Sequence, residues 1–150
     1  MTDPTRERPV QDWATLTVGE TFGPFRYDVT RERVEAYRAV TGDHEVELVD
    51  GEAVAPSTLL TFPMLLLVED KYRPRPGGIH ARQVIDLLAP LRVGAVLSVT
   101  GTLTEMRLKR GRRYFTVECV VVDERGATVA RGETVGIHPD VDVVAGATGA

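Results

Sequence analysis

Residues 43–50, DHEVELVD, hold four carboxylates (Asp43, Glu45, Glu47, Asp50) and one imidazole (His44) within eight positions. Such groups suit general acid–base chemistry, in which a positioned carboxylate or imidazole moves a proton to or from a reacting atom. Asp43 directly follows Gly42. It reads either as the principal acid–base group or as a carboxylate that closes a turn on its own backbone. His44 is the neighbouring side chain and points away from Asp43, so it reads as an assisting group or as a solvated histidine. Glu45 and Glu47 alternate, and on an extended segment they share one face. Three scattered histidines and one cysteine have no metal-ligand spacing, so no metal site is expected. His80 and His138 fall on or beside strands and read as structural histidines. Ser57 lacks a G-x-S-x-G setting and a visible base, so it is not read as a nucleophile. Cys119, inside the alternating run YFTVECVVV, reads as a small core residue.

The acidic stretch joins two helices of different character. Thr30 offers an N-cap hydroxyl and Glu32 an anion in the first turn. Val34, Tyr37 and Val40 then recur at helical spacing up to Gly42, a natural residue for the left-handed position past a helix end. Residues 43–51 have no clear period and predict a loop or short irregular helix. Residues 59–68, LLTFPMLLLV, are apolar all round, the pattern of a helix buried on several sides. Pro63 fits only near its start, so the helix is expected from about Thr61–Pro63 to about Tyr72. Strands are predicted at 22–29, 79–88, 96–108, 114–123 and 128–137, the last three joined by two glycine-containing turns into a meander. The expectation is a single α+β domain with an antiparallel sheet wrapped around the apolar helix. Residues 1–15 predict an arm, mobile or laid over the surface and anchored by Trp13, and residues 140–150 a flexible tail.

The chain has 150 residues, with 18 basic and 22 acidic side chains for a net charge of −4. No global field draws it onto nucleic acid or anionic lipid. No stretch approaches the roughly 20 apolar residues of a membrane span, and the start has no signal-peptide core. A cytoplasmic protein is expected.

Three stretches, VTRERVEAYRAVTGD (29–43), VAPSTLLTFP (54–63) and GGIHARQVIDLLAPLRVGAVLSVTGTL (77–103), resemble the hot-dog fold of the MaoC-like (R)-specific enoyl-thioester hydratases and dehydratases. The resemblance implies a dimer joined sheet edge to sheet edge, homodimeric or formed with a related hot-dog subunit. It implies a bound acyl thioester of coenzyme A or acyl carrier protein and no further cofactor. The catalytic group it implies is Asp43, with His44 or a nearby glutamate assisting. Backbone N–H groups at Ser57 and Thr58 would polarise the thioester carbonyl. Arg110 and Arg112, in a basic hairpin turn with Arg107, Lys109 and Arg113, either grip phosphates or form a solvated tip. One position departs from the family pattern, in which a histidine lies five residues beyond the aspartate. Here Leu48 stands there, and leucine transfers no proton. Two further readings follow: a non-catalytic acyl-binding subunit paired with a catalytic partner, or a scaffold turned to another polyketide step such as cyclisation.

Overall fold

The computed structural model describes residues 7–139. Its order is β1 (Thr21–Asp28), α1 (Arg31–Thr41), β2 (Glu47–Val49), β3 (Glu52–Val54), a 3-10 turn (Ser57–Leu60), α2 (Thr61–Lys71), β4 (Ile79–Leu87), β5 (Val96–Lys109), β6 (Arg112–Asp123) and β7 (Thr128–His138). Five strands form one antiparallel sheet in the order β1-β5-β6-β7-β4. The predicted meander is β5-β6-β7. Its first turn takes Arg110 and Gly111 through positive φ (51° and 73°), the backbone twist that two-residue hairpins favour. The tail at 140–150 lies outside the described residues.

Helix α1 starts as its sequence dictates: the Thr30 hydroxyl accepts from the Arg33 N–H at 3.2 Å. It stops at Gly42, whose φ of 75° costs glycine little. Pro63 is the third residue of α2, inside the turn whose N–H groups have no intrahelical acceptor, so its missing N–H breaks nothing. Leu60, Met64 and Leu67 are fully buried against the sheet. The sheet makes room with glycine. A Cβ at Gly101 would lie 3.1 Å from Leu67, and one at Gly132 would lie 2.9 Å from Met64 and 2.5 Å from the Val84 carbonyl. Burial of α2 on several sides is only partly met, because Phe62 remains 56% exposed. Among the described residues, the sheet packs on the flank that carries Met64 and Leu67.

The described part of the arm is laid along the turn after α2. The Arg73 N–H donates to the Pro9 carbonyl at 2.8 Å and the Gln11 N–H to the Arg73 carbonyl at 2.9 Å. Trp13 packs on His138 with ring centroids 6.0 Å apart. Cys119 is 2% exposed, and burial pushes its thiol up to about 11, so it is a core residue and not a thiolate.

At the end of α2, the Glu20 carboxylate takes Lys71 Nζ at 2.6 Å and the Tyr72 hydroxyl at 2.5 Å. Burial alone would raise the Glu20 pKa, but Lys71 and Tyr72 outweigh it and hold the group below its ordinary 4.5. A depressed carboxylate stabilises the fold above its unfolded value, and that stability is lost as pH falls through the folded one. Glu20→Gln is therefore expected to lower the melting temperature by a few degrees at neutral pH and to flatten its fall in acid. Thermal melts from about pH 7 down to about pH 3 check this.

Candidate functional site

The segment expected to be an irregular loop folds as a small hairpin, β2 against β3, with Leu48 opposite Ala53 and Glu47 opposite Val54. Its turn is Asp50-Gly51, both at positive φ (52° and 78°). Asp-Gly between short apolar runs is the sequence signal for this turn. Strands of three residues, diluted by Glu47 and Glu52, leave too little alternation to register as strands. Arg92 holds the turn, bonding Glu52, pairing with Asp50 at 3.7 Å and donating to the Val49 carbonyl at 3.4 Å. The outer edge of β3 is tied to the segment before β5 by Val93 N–H to Ala53 carbonyl at 2.9 Å and Ala55 N–H to Leu91 carbonyl at 2.7 Å. From the other side, Arg38 of α1 donates to the Val54 carbonyl at 3.0 Å. The hairpin is thus fixed between α1 and the loop leading into β5.

Because side chains alternate along strands, this hairpin divides two clefts. The first, about 290 Å³, holds Asp43 and His44 with Glu35 and Arg38 of α1, and Val46 and Ala53 of the hairpin segment. Leu48, opposite Ala53, shares that face and is 61% exposed, and Val46, which lines the cleft, is 69% exposed. The second cleft, about 360 Å³, holds Glu47, Val54, Pro56 and Ser57, closed by Leu87 at the end of β4, by Leu88 just beyond it and by Leu91. The predicted residues are therefore not all brought together: Asp43 and His44 lie in one cleft, and Ser57 in the other. Among the described residues, the Asp43 carboxylate bonds only the Glu45 N–H, at 3.3 Å, which is the turn-closing geometry. The Glu47 carboxylate has no hydrogen-bond or ion-pair partner among the described residues, and it shares the cleft of Ser57.

At Ser57 and Thr58 the 3-10 turn begins, and the first N–H groups of a helical run precede any acceptor within it. Pro56 before them has no N–H to add. Thr58 is held by a residue that sequence reasoning treated only as core: the Tyr37 hydroxyl of α1 donates to Thr58 Oγ1 at 2.8 Å. Arg110 and Arg112 are exposed at the β5-β6 turn. Strand β5 runs 14 residues, about 43 Å at about 3.3 Å each. Its first residues adjoin the loop that lines both clefts, so the arginines stand at the opposite end of the sheet. His138 is 2% exposed with Nδ1 on the Pro139 carbonyl at 2.9 Å, a structural role as expected.

A five-stranded antiparallel sheet around one apolar helix, with a helix start facing a cleft beside an acidic elbow, defines the hot-dog class. Within it, the chain belongs to the family of FAS1-like dehydratase domain regions, whose family model matches residues 16–135. Solved structures agree in fold. R-hydratase PhaJ1 from Pseudomonas aeruginosa superposes with a TM-score of 0.70 at 20% identity, covering 85% of this chain and 84% of its own. The HadBC (3R)-hydroxyacyl-ACP dehydratase complex from Mycobacterium tuberculosis gives 0.71 at 18%, over 82% and 98%. The (R)-hydratase from A. caviae involved in PHA biosynthesis gives 0.69 at 20%, over 83% and 98%. The comparison with curated proteins gave no match. Among the described residues, no helix is long and apolar enough to cross a membrane.

Proposed function

We propose that this chain is a hydro-lyase of the acyl-thioester class, acting on an enoyl or 3-hydroxyacyl thioester of coenzyme A or acyl carrier protein. The thioester carbonyl sits against the Ser57 and Thr58 N–H groups, where the helix dipole and free donors favour the enolate oxygen of addition or elimination. Glu47 carries the proton both ways: in hydration it takes one from water as the hydroxyl bonds C3 and delivers it to C2 as the enolate collapses, and in dehydration it takes the C2 proton and gives it to the C3 hydroxyl, which leaves as water. The observation that carries this reading is the unpartnered Glu47 carboxylate in the cleft of Ser57. It moves the principal role from Asp43, which keeps a turn-closing bond, to Glu47, which directly precedes the leucine standing in place of the family histidine. The test is loss of conjugated-enoyl absorbance from a short trans-2-enoyl-CoA, with Glu47→Gln and Asp43→Asn compared.

The arginine tip enters through a second chain. Strand β4 is one edge of the sheet, β1 being the other, and Ile79 and Leu87 at the two ends of β4 are about half exposed. Its Ile79 end lies beside β7 and Tyr114, toward the arginine tip, and its Leu87 end lines the Ser57 cleft. A two-fold pairing of antiparallel β4 edges sets the tip of one chain beside the cleft of the other, where Arg110 and Arg112 meet coenzyme A phosphates. The double variant Arg110→Ala/Arg112→Ala is expected to raise KM for the CoA thioester about 10-fold or more. The phosphate-free N-acetylcysteamine thioester of the same acyl group should be unaffected.

A second reading is favoured by Leu48. Beside Val46 of the first cleft, it leaves an apolar side chain exposed at the position of the family histidine. A chain that pairs through it with a catalytic hot-dog subunit would bind the acyl group and leave proton transfer to the partner. Full activity of the chain purified alone would remove this reading.

A further inference from the structure

Strand β4 begins with an irregularity that re-aims one side chain. His80 pairs with Gly136 and Arg82 with Val135, so Ala81 is an extra residue, a bulge in β4. In a regular strand His80 and Gln83, three positions apart, would face opposite sides of the sheet. The bulge turns His80 onto the side that carries α2, where Gln83 Nε2 donates to Met64 Sδ at 3.2 Å and His80 Nε2 meets Gln83 Oε1 at 3.2 Å. The Gln83 amide is oriented by the Val84 carbonyl, which only accepts and takes its nitrogen at 3.3 Å, while its oxygen accepts from Thr134 Oγ1 at 2.8 Å. His80 therefore donates to that oxygen through Nε2, and the neutral ring keeps Nδ1 as an acceptor. His80 is exposed, and no partner of Nδ1 appears among the described residues.

Of the two sheet edges, β4 is the one suited to a second copy of this chain. Strand β1 is interrupted by Pro24, a residue that blunts an edge, whereas β4 runs nine residues without proline. Charge complementarity sets the register. A two-fold centred on Val84 places Arg82 opposite Asp86 of the partner, and by symmetry Asp86 opposite the partner's Arg82. The same register, with Ala81 as the extra residue, brings the partner's His80 opposite Leu87 and Leu88, about 5 Å away across the strands. A two-fold relating antiparallel strands of one continuous sheet stands perpendicular to it, so both copies carry α2 on the same side. His80 of the partner thus lies on the side of Leu87, which is four positions from Gln83 and shares its face. Leu87 and Leu88 line the cleft that holds Glu47 and Ser57.

We infer that the partner's His80 completes the Ser57 cleft and supplies, across the dimer, the imidazole that Leu48 does not. The inference rests on the acyl-thioester reading above. The water that adds to C3 gives one proton to Glu47 and donates its other hydrogen to Nδ1 of the partner's His80, which aims the oxygen lone pair at C3. That second hydrogen stays on the oxygen, so the product is the 3-hydroxyacyl thioester with its hydroxyl on the same nitrogen. The proton held by Glu47 goes to C2. In dehydration the bond to Nδ1 holds the hydroxyl while Glu47 moves the C2 proton onto it and water leaves.

The test is complementation between two defective chains. His80→Ala is expected to lower hydration of a short trans-2-enoyl-CoA about 10²-fold, the cost of a misaligned water, and Glu47→Gln to lower it at least as far. The two variants are co-expressed with different affinity tags, and the dimer carrying both tags is purified. One of its sites bears both substitutions, while the other joins the intact Glu47 of one chain to the intact His80 of its partner. Activity per dimer is expected to return to about half that of the wild type. His80→Phe keeps the ring without either nitrogen and is read in the same way where His80→Ala disturbs β4. A mixed dimer as inactive as its parents overturns the inference, as do a His80→Ala chain of wild-type activity and a failure of the doubly tagged species to form. In each of these cases, hydration by the wild type that Glu47→Gln loses leaves the acyl-thioester reading standing. Full activity in Glu47→Gln overturns the Glu47 assignment and the inference together, and a wild type without hydration overturns the inference and the reading beneath it.

Discussion

Glu47→Gln lowers turnover of a trans-2-enoyl thioester by about 10²- to 10⁴-fold, the usual contribution of one general acid–base group, with KM and melting temperature nearly unchanged. The substitution keeps the size of a side chain that is exposed and has no partner among the described residues. Asp43→Asn is expected to have a smaller effect, within about 10-fold, because an amide oxygen can still accept from the Glu45 N–H and preserve the turn. Steady-state kinetics of both variants beside circular-dichroism melts make the measurement. A loss confined to Asp43→Asn would return the proton to Asp43 and require the first cleft, with Arg38 and His44, to hold the acyl carbonyl. Equal turnover in all three proteins would sink both assignments. A wild type without activity, yet folded, would turn attention to a catalytic partner.

The largest effect on stability is expected at Leu67. It is fully buried in α2 and lies against Gly101 of β5 and Gly23 of β1, whose added Cβ atoms would come within 3.1 and 3.2 Å of it. Neighbours that close on rigid strands cannot collapse into the space that a smaller side chain leaves. Leu67→Ala should cost about 2–5 kcal/mol, lowering the melting temperature by roughly 5–15 °C in a chain of this size. Leu67→Met, which keeps the volume, should cost less than about 1.5 kcal/mol. Thermal or urea unfolding compares the two, and similar losses would show that shape, not filled volume, governs the site.

The elements that repeat a pattern over many residues were legible. Helix α1 was bounded by Thr30 and Gly42, because cap chemistry acts within one turn. The meander was readable because each strand alternates over about ten residues and each turn carries glycine. The elbow was not. It was read as a loop or short irregular helix although Asp50-Gly51 is a hairpin signal, and its three-residue strands owe their register to partners distant in sequence, the Arg92 side chain and the backbone of Leu91 and Val93. That register decides which side chain faces which cleft, and a shift of one residue exchanges Glu47 for Leu48.

The sequence by itself determined the class of fold, the apolar identity of α2, and the stretch where acid–base groups gather, since periodicity, caps and composition are local properties. Only the tertiary structure decided that Asp43 and Ser57 face different clefts, that Glu47, without a partner among the described residues, lines the cleft of Ser57, and that Arg110 and Arg112 lie at the far end of the sheet. Those facts depend on strand register and on the length of β5, which contacts between distant residues set and no local pattern encodes.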